Sequence, residues 1–445
     1  MLKTFRMGGV HPPENKISSG EKIKTLPIPV KVIIPVGQHI GAPATPVVAK
    51  GDSVKVGQLI AKSSGFVSAN IHSSVSGTVK TVGPVKDAAG MMKVAITIQV
   101  EGDEWMEDID RNAKIVFNEN LSKDDIKASI MKAGIVGMGG ATFPTHVKLS
   151  PPPGNKAEIL IINGVECEPY LTADHRVMLE KSKELMVGIQ YLMKGIDVKK
   201  AVVGIENNKK DAISLLTELS KNYPGISICP LQMKYPQGGE KQLIKAVTGK
   251  GVPSGALPIA VGAVVQNIGT ALAVYEAINQ NKPLFERIVT VTGKSVKQPG
   301  NFICRIGTPI SALIDAAGGL PENTGKVIGG GPMMGRTMIN IDSPIMKGTS
   351  GILIIEEQEA LRKEQHNCIR CGKCVSVCPM GLEPYLLMTL SEKNMLDELA
   401  EHDVMDCIEC GSCTFTCPAN RQLLDYIRLG KGRTGAMLRA KNSKK

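Results

Sequence analysis

Eight of the 11 cysteines in this 445-residue chain lie in two runs with the same spacing. The first run, CIRCGKCVSVCP, covers residues 368–379, and the second, CIECGSCTFTCP, covers residues 407–418. Both read C-x2-C-x2-C-x3-C-P. Closely spaced thiolates are strong ligands for iron and zinc, and in a reducing compartment they indicate metal chemistry more often than disulfides. The duplication therefore predicts two metal centres in one small domain.

The spacing resembles that of bacterial ferredoxins with two 4Fe-4S clusters, in which the fourth cysteine of each run binds the other cluster. The resemblance assigns the eight cysteines to two sets: Cys368, Cys371, Cys374 and Cys417, and Cys407, Cys410, Cys413 and Cys378. Zinc is the alternative, but a zinc ribbon normally uses paired C-x2-C knuckles rather than two runs that close on proline. Two adjacent clusters with fully ligated irons predict electron transfer.

The two runs differ in charge. Arg370 and Lys373 lie within the first run, whereas Asp406 and Glu409 lie at or within the second. Positive charge stabilises the more reduced and more negative state of a cluster. The sequence therefore predicts the higher reduction potential for the first cluster.

The composition is that of a globular protein, with 42% hydrophobic and 21% charged residues, and the length predicts about three or four domains. The N-terminal stretch MLKTFRMGGVHPPENK has no apolar core or cleavage site of a signal peptide, which predicts a cytoplasmic location. Residues 251–275 carry no charge, but Pro253, Pro258, Gln266 and Asn267 favour a buried segment that lines a ligand site over a membrane span.

The formal net charge is +11, and basic residues are concentrated at the C-terminus. From Gly430 onward there are six Lys and Arg residues and no acidic residue. A solvated tail and a segment that docks on anionic lipid or on an acidic partner both fit this pattern. No nucleic-acid partner is expected, because no aromatic residues are interleaved with these charges.

The N-terminal part alternates short Val and Ile runs with Gly and Pro over residues 27–100, a pattern typical of a small β-barrel or sandwich. GDSVKVGQLI followed by IHSSVSGTV resembles the hybrid barrels of biotinyl and lipoyl domains. In those domains a hairpin lysine carries the cofactor, whereas the matching position here is Phe66. The resemblance therefore implies an unmodified, lipoyl-like scaffold.

The pattern changes near residue 120. Ser122 and Asp125 form a near capping box at the start of a helix that Gly134 can end. Predicted strands at residues 157–164 and 201–206 then alternate with helices, which indicates an α/β domain with parallel strand pairing.

Residues 287–319 return to short strands followed by one helix and resemble a β-grasp insertion of the SLBB type. After GILIIEEQEA the chain is predicted to be helical and holds both cysteine runs. The fold class is therefore multidomain α/β. The expected divisions are a hybrid barrel at 1–115, an α/β domain at 116–285, an SLBB-type domain at 286–355, a helical domain with two 4Fe-4S clusters at 356–430, and a basic tail at 431–445.

The stretch AGIVGMGGATFPTHVKL, residues 133–149, is rich in glycine. Bare backbone of this kind can lie against a phosphate or a flat ring with its N–H groups turned toward it. The spacing is not that of a Rossmann fingerprint, and no strand precedes it. Phe143, which follows the glycines, either stacks on a ring or packs in the core.

Four segments resemble, in order, the flavin and NADH site of the NADH-binding flavoprotein subunit of respiratory complex I. They are the loop GxxGxGGAxFPT and the stretches INGVECEPY, GGEKQL and VVQNIGT, the last at residues 264–270. With GGVHPPENK and QHIGAPA near the N-terminus and the doubled cysteine motif, the whole chain resembles the C subunits of Rnf ion-translocating ferredoxin:NAD oxidoreductases.

The resemblance implies a set of cofactor-binding residues. Those expected at FMN are Gly137, Gly139, Gly140, Phe143, Lys148, Asn163, Glu166, Asn267 and Thr270. Those expected near the nicotinamide and its ribose are Glu168 and Glu240. Val165 and Gly239 stand where the complex I pattern has acids, and Gln266 replaces an Asn, which affects the nucleotide contacts more than the flavin.

The implied activity is that of an oxidoreductase subunit in which non-covalent FMN exchanges a hydride with NAD(H) and passes single electrons to two 4Fe-4S clusters. This chemistry requires no catalytic acid, base or nucleophile from the chain. The resemblance further implies a peripheral position on the cytoplasmic side of the cell membrane. The implied partners are the other subunits of an Rnf-type complex, with ferredoxin linked indirectly through them.

Two other functions share these features. A cobalamin reductase of the microcompartment type has the flavin module and paired clusters, but the N-terminal position of the barrel argues against it. An iron–sulfur relay without nucleotide binding is suggested by Val165 and Gly239, and flavin content distinguishes it. The sequence predicts neither the coupling ion nor the direction of electron flow.

Overall fold

The computed structural model describes residues 2–442 and begins with a β-rich domain. Its strands are β1 (Ile23–Thr25), β2 (Lys31–Pro35), β3 (Thr45–Pro46), β4 (Ser53–Val54), β5 (Leu59–Lys62), β6 (Ile71–His72), β7 (Gly77–Lys86) and β8 (Met92–Val100). Strands β2 to β8 form two antiparallel sheets, in the orders β2-β8-β7-β4 and β3-β5-β6, around one apolar core. The hybrid barrel implied by the resemblance to biotinyl and lipoyl domains agrees with this arrangement.

The tip that corresponds to the cofactor-bearing hairpin of lipoyl domains contacts the second domain. The carbonyl of Phe66 lies 3.0 Å from Nε2 of His146, and the two rings meet edge to face with centroids 6.1 Å apart. His146 lies six residues beyond Gly140, so the barrel supports the segment that contains the glycines.

The second domain is an α/β layer. Its elements are α1 (Lys123–Lys132), α2 (Thr145–Lys148), β9 (Ile159–Asn163), α3 (Ala173–Glu180), α4 (Ser182–Ile196), β10 (Ala201–Glu206), α5 (Lys210–Ser220), β11 (Ile226–Leu231), α6 (Glu240–Thr248), β12 (Ala263–Asn267) and α7 (Ile268–Asn279). The strands are all parallel, in the order β11-β10-β9-β12. The predicted capping box is present, since the Ser122 side chain and the Asp125 side chain each accept from the other's backbone N–H.

Helices cover both faces of this sheet. Helices α1, α4, α5 and α7 bury one face, and α6 covers the other. The uncharged stretch at residues 251–275 is explained by this packing, because β12 is entirely buried and α7 is buried over most of its length. No helix within residues 2–442 has the length and apolarity needed to cross a membrane.

The third domain is built on a mixed sheet. Its elements are β13 (Glu286–Thr292), β14 (Gly300–Arg305), α8 (Ile310–Ala316), β15 (Thr324–Gly329), β16 (Arg336–Thr337) and β17 (Gly351–Glu356). The strand order is β1-β14-β13-β17-β15-β16, so the short N-terminal strand β1 extends this sheet in parallel with β14. Helix α8 packs on the sheet and shares its core.

The C-terminal domain is helical. Its helices are α9 (Glu357–Ala360), α10 (Lys373–Ser376), α11 (Pro384–Glu392), α12 (Leu396–Glu401), α13 (Ser412–Thr416) and α14 (Leu423–Asn442). Helix α14 packs against α11 and α12. Residues 431–442, expected as a separate basic tail, continue this helix, whereas residues 443–445 lie outside the described range.

Candidate functional site

The parallel sheet reverses its direction of winding between β9 and β12. Strands β10 and β11 extend from one side of β9, and β12 lies on the other side. Asn163 and Asn267, at the carboxyl ends of β9 and β12, are paired in register. Open α/β sheets bind ligands outside the carboxyl ends of their strands at such a switch point. The strand order therefore predicts a ligand site in the crevice beside these two asparagines.

The glycine loop lies at this switch point. The backbone N–H of Met138 donates to Oγ1 of buried Thr270 at 3.0 Å, and its carbonyl accepts from Nη2 of Arg287 at 2.7 Å. A Cβ on Gly139 would lie 2.6 Å from Nδ2 of Asn267, so the close approach of the loop to this side chain requires glycine. These contacts hold the loop against the first turn of α7.

The tip of the loop remains open. Gly140 is exposed, and a Cβ placed there would meet no atom of the described chain within 4 Å. Gly137 donates its N–H to the carbonyl of half-buried Phe143 at 2.9 Å, which closes the loop behind the tip. Bare backbone is thus presented at the place where the fold predicts a ligand.

The two asparagines order the surrounding backbone. Oδ1 of Asn267 accepts from the N–H of Gly269 at 2.7 Å and so caps α7, and its Nδ2 donates to Asp174 at 2.6 Å. Nδ2 of Asn163 donates to the carbonyl of Gly238 at 2.8 Å. Nε2 of Gln266, on the same strand as Asn267, is buried without a hydrogen-bond partner among the described residues. An unpaired buried donor near the carboxyl end of β12 fits a site for a polar ligand such as FMN.

Lys148 and Glu240 form an ion pair, with Nζ and Oε1 2.7 Å apart. Lys148 also donates to the carbonyl of Val265 at 3.1 Å, next to the end of β12. The resemblance assigned Lys148 to the flavin and Glu240 to the nucleotide. In the structure the two side chains contact each other, so the residue predicted for the flavin and the residue predicted for the nucleotide lie side by side in one site.

Glu166 stabilises a helix end. Its backbone has a φ of +48°, and its carboxylate accepts from the N–H groups of Asp174 at 2.8 Å and His175 at 3.2 Å, in the first turn of α3. Burial and the neighbouring carboxylate of Glu166 raise the pKa of Asp174 to about 6. Glu166 is therefore engaged with the protein here, and its contact with the flavin stays a prediction.

Glu168 is also engaged. Its carboxylate accepts from the N–H groups of Met333 at 3.1 Å and Met334 at 2.7 Å, in the loop between β15 and β16, and burial raises its pKa. The strand-end turn after β9 is thus fastened to the third domain. The assignment of Glu168 to the nicotinamide stays a prediction.

Lys16 was not anticipated as a site residue. Its buried ammonium group donates to the carbonyls of Glu166 at 2.8 Å, Glu168 at 2.9 Å and Leu171 at 2.7 Å. Burial lowers its pKa to about 8. Lys16 therefore fixes the turn that presents both glutamates, and only its position in the stretch GGVHPPENK could have singled it out.

The two cysteine runs adopt the same local conformation. Arg370 and Glu409, the third residue of each run, have φ values of +56° and +57°, and the following Gly372 and Gly411 have φ values of +70° and +77°. A short helix, α10 or α13, begins immediately after each of these glycines. The sequence duplication is therefore a structural duplication.

The fourth cysteine of the second run lies beside the first run. Burial raises the pKa of Cys374, and the neighbouring thiolates of Cys417 and Cys368 raise it further. Cys371 and Cys368 are exposed. The structure thus places Cys417 near Cys374 of the first run.

The fourth cysteine of the first run lies beside the second. Burial raises the pKa of Cys407 to about 11 and that of Cys413 to about 12, and the thiolate of Cys378 contributes to both shifts. Cys378 raises the pKa of Cys410 in the same way, again after burial. Cys378 thus lies among the thiols of the second run, and the donor chemistry fits iron–sulfur clusters. The two ligand sets implied by the ferredoxin resemblance stay predictions.

Within residues 2–442, no three Cys, His, Asp or Glu side chains are arranged to hold a single metal ion. In a 4Fe-4S cluster each thiolate binds a different iron, so the four ligands surround a cube and need not converge on one point.

The set that contains Cys378 and Cys410 packs against the α/β domain. The hydroxyl of Tyr235 donates to the carbonyl of Cys410 at 2.8 Å, and Nε2 of Gln242 donates to the carbonyl of Pro379 at 3.3 Å. Burial raises the pKa of Tyr235, so its hydroxyl stays protonated and acts as a donor. The second set therefore faces the domain with the glycine loop, whereas two cysteines of the first set face solvent.

The N-terminal segment joins the same two domains. Gly9 donates its N–H to the carbonyl of Val377 at 2.8 Å, and Val10 forms an antiparallel bridge with Tyr235. Gly8 has a φ of +67°, and a Cβ on it would lie 2.5 Å from the Cys378 carbonyl. The GG pair of GGVHPPENK is thus required where the chain passes close to a predicted cluster ligand.

The charge difference between the runs is offset in the structure. Glu409 lies 3.1 Å from Arg428, 3.4 Å from Lys431 and 3.9 Å from Arg336. Lys431 also donates to the carbonyl of Cys407 at 2.6 Å. The acidic residue of the second run is thus surrounded by cations from distant parts of the chain. The charge of Glu409 is therefore compensated, and the higher potential of the first cluster stays a prediction.

We expect Lys431→Gln to lower the midpoint potential of the second-set cluster by an amount on the order of tens of millivolts, because a cation close to Cys407 stabilises the reduced state. The measurement is a redox titration followed by EPR. Lys441→Gln is the matched control on the same helix, since Lys441 pairs with Asp397 at 2.6 Å. Equal shifts in both variants would contradict the expectation.

Family models match four successive segments of the chain. They are the RnfC barrel sandwich hybrid domain over residues 3–103, the Nuo51 FMN-binding domain over 130–276, the SLBB domain over 288–337 and a 4Fe-4S dicluster domain over 360–418. The predicted fold class and the predicted FMN and 4Fe-4S cofactors are confirmed. The division points and the individual ligand residues stay predictions.

Curated relatives are similar over nearly the full length. The chain is 51% identical over 435 residues to the C subunit of the proton-translocating ferredoxin:NAD(+) oxidoreductase complex of Clostridium ljungdahlii, covering 96% of this chain and 93% of the relative. It is 46% identical over 434 residues to the Na(+)-translocating counterpart of Acetobacterium woodii, covering 96% of each. It is 43% identical over 440 residues to the C subunit of the ion-translocating oxidoreductase complex of Rhodobacter capsulatus, covering 97% of this chain and 84% of the relative.

A solved structure of an NAD+-reducing [NiFe]-hydrogenase in the air-oxidized state shares the fold, with a TM-score of 0.50 and 19% identity, over 70% of this chain and 63% of the other. The full-length similarity to the curated relatives decides the family. This chain belongs to the C subunits of the Rnf-type ion-translocating ferredoxin:NAD(+) oxidoreductase complexes.

Proposed function

We propose that this chain is the electron-transfer subunit of a membrane-bound ferredoxin:NAD(+) oxidoreductase that couples electron flow to ion translocation. Relatives that cover nearly the whole chain carry this activity in their names. When bound, FMN converts the two electrons of a hydride from NADH into single electrons, and 4Fe-4S clusters carry electrons one at a time. The chain's own contribution is to position these groups relative to one another.

The observation that carries the proposal is the contact between the switch-point domain and one set of cysteines. The hydroxyl of Tyr235 bonds to the carbonyl of Cys410 at 2.8 Å, while the carboxylate of Glu168 lies 3.4 Å from the same hydroxyl. One chain of polar contacts therefore runs from the end of β9 to the second run. Cys407, Cys410, Cys413 and Cys378 would hold the cluster that faces the flavin domain, and that cluster would supply one-electron exchange with it.

The first set then faces the partner subunits. Cys368 and Cys371 are exposed, whereas Cys378, Cys410 and Cys413 are buried. Electron transfer slows steeply with distance, so the exposed set is the natural exchange point with another protein. A cluster held by the second set would lie on the side of the flavin domain, and a cluster held by the first set would lie on the side open to a partner.

The proposed location is peripheral, on the cytoplasmic side of the membrane. None of the 11 cysteines, all within residues 2–442, forms a disulfide, and eight are predicted cluster ligands, which fits a reducing compartment. NAD(H) exchange also requires access to the cytoplasmic nucleotide pool. The attachment to the membrane is through the other subunits of the complex.

The experiment is an anaerobic NADH titration of the reconstituted full chain, after iron and released flavin have been quantified. We expect about eight irons per chain, four for each cluster. NADH is expected to bleach the flavin absorption and the broad iron–sulfur absorption together. Dithionite is the control reductant, because it reduces the clusters without the nucleotide site.

Two results would contradict the proposal. If dithionite bleaches the clusters but NADH changes nothing, hydride does not enter through this chain. If the irons are present and flavin is absent after reconstitution with FMN, the chain is an iron–sulfur relay that another subunit supplies. Reduction of cob(III)alamin by NADH at a comparable rate would instead favour the cobalamin reductase.

A further inference from the structure

The loop that leads into the first cysteine run is exposed along its whole length, over residues 361–373. It is held near the first set, where His366 donates its N–H to the carbonyl of Ala419 at 3.0 Å and Nδ2 of Asn420 donates to the carbonyl of Glu364 at 3.0 Å, two and three residues beyond Cys417. The loop therefore surrounds the exposed cysteines, and the term "cluster rim" refers below to residues 361–373.

The cluster rim is basic. It contains Arg362, Lys363, Arg370 and Lys373, with Glu364 as its single acidic residue. Arg362 pairs with Asp425 at 2.6 Å. Within residues 2–442, the side chains of the other three cations form no ion pair or hydrogen bond.

The cations near the second run differ from those of the cluster rim in pairing and exposure. There the cations Arg428 and Lys431 pair with Glu409 and are less than a quarter exposed. At the first run the cations are exposed and unpaired, so their charge is available to another molecule. Unpaired surface charge of one sign steers a partner of the opposite sign and fixes its orientation.

The centre of the cluster rim is apolar. Ile369 stands between the ligand positions Cys368 and Cys371 and is 67% exposed. Tyr385, 42% exposed, lies beside Cys374 and Cys368. An apolar centre with a charged margin is the anatomy of a protein interface, and transient redox encounters use small interfaces of this kind.

We infer that the cluster rim is the docking surface for a redox protein or domain that presents acidic side chains around its own exposed cluster. The inference rests on the proposed function and adds the place and the chemistry of the partner contact. A partner docked here would face the two exposed cysteines of the first set, Cys368 and Cys371. Contact with anionic lipid is the alternative for a basic patch, but lipid over this surface would cover the exposed cysteines with insulating headgroups.

The chain itself supplies a mild variant. Arg370→Glu with Lys373→Ser gives the first run the residues that the second run has at the same places, Glu409 and Ser412. The backbone at residue 370 has the same positive φ as at Glu409, so this local conformation already accepts Glu. Lys80→Glu with Lys93→Ser makes the same charge change on two exposed residues of the barrel and serves as the matched control.

The probe is a reduced bacterial ferredoxin with an acidic surface, and the readout is NADH formation by the full chain at several salt concentrations. We expect the Arg370→Glu/Lys373→Ser variant to lose about tenfold in kcat/KM for ferredoxin at low salt and to lose the salt dependence of the wild type. The barrel variant should match the wild type. The reduction of the flavin by NADH should be unchanged in both variants.

A cluster potential changed by the substitutions would alter the rate but not its salt dependence, which separates an electronic effect from docking. If the rim variant keeps the wild-type rate and salt dependence, the docking inference is overturned. Bleaching by NADH in the same samples would leave the proposed function intact. Failure of NADH to reduce the wild type would overturn the proposed function instead. Loss of binding to phosphatidylserine vesicles in the rim variant, with an unchanged ferredoxin rate, would assign the patch to lipid and also overturn the inference.

Discussion

Gly139→Ala is expected to lower FMN content at least about tenfold and to lower the free energy of unfolding by about 1–3 kcal/mol. The added Cβ would lie 2.6 Å from Nδ2, 3.0 Å from Cγ and 3.1 Å from Cβ of Asn267. Asn267 has little freedom to move, because it bonds to Asp174 and caps α7 through Gly269. The substitution therefore displaces the glycine loop or breaks the cap, which is itself worth about 1 kcal/mol.

Two glycines provide controls for this prediction. A Cβ on Gly140 meets nothing within 4 Å, so Gly140→Ala should leave the unfolding free energy of the apoprotein unchanged. The added methyl group enters the space next to the loop tip. A Cβ on Gly83, in β7, also meets open space, so Gly83→Ala should change neither the FMN content nor the free energy of unfolding. Flavin release and urea unfolding are the measurements. Full flavin content with unchanged unfolding in Gly139→Ala would contradict the placement of the loop.

Features encoded by neighbouring residues were predictable from the sequence. The capping box of Ser122 and Asp125, the strands that became β9 and β10, and the duplicated cysteine runs all depend on short-range patterns. Such patterns record local hydrogen bonds, strand alternation and ligand spacing, which require no knowledge of the fold. The domain order followed from the same patterns together with the resemblance.

Features made by distant residues were not predictable. Lys16 supports a turn about 150 residues away, and Tyr235 bonds to a carbonyl 175 residues away. The compensation of Glu409 by Arg336, Arg428 and Lys431 likewise depends on folding. Local charge therefore predicted an asymmetry between the clusters that the tertiary structure offsets.

Each predicted cluster takes its fourth cysteine from the other run, a crossed arrangement that predicts a large effect of cysteine substitutions on iron content. Cys378→Ala and Cys410→Ala are expected to abolish the same cluster EPR signal, and Cys417→Ala and Cys371→Ala to abolish the other. Each variant should lose about four irons. The reason is that Cys378 lies among the thiols of the second run, where it contributes to the raised pKa values of Cys407, Cys410 and Cys413, whereas Cys417 does so for Cys374.

Cys304→Ala is the control, because this buried cysteine lies on β14, outside both sets, and should retain all the irons. If Cys378→Ala instead abolished the signal that Cys371→Ala abolishes, each run would hold its own cluster. With the crossed arrangement, neither run can bind a cluster by itself, since each set takes its fourth ligand from the other. The two runs must therefore fold around both clusters as one unit. This shared fold fixes the distance that an electron travels between the two clusters.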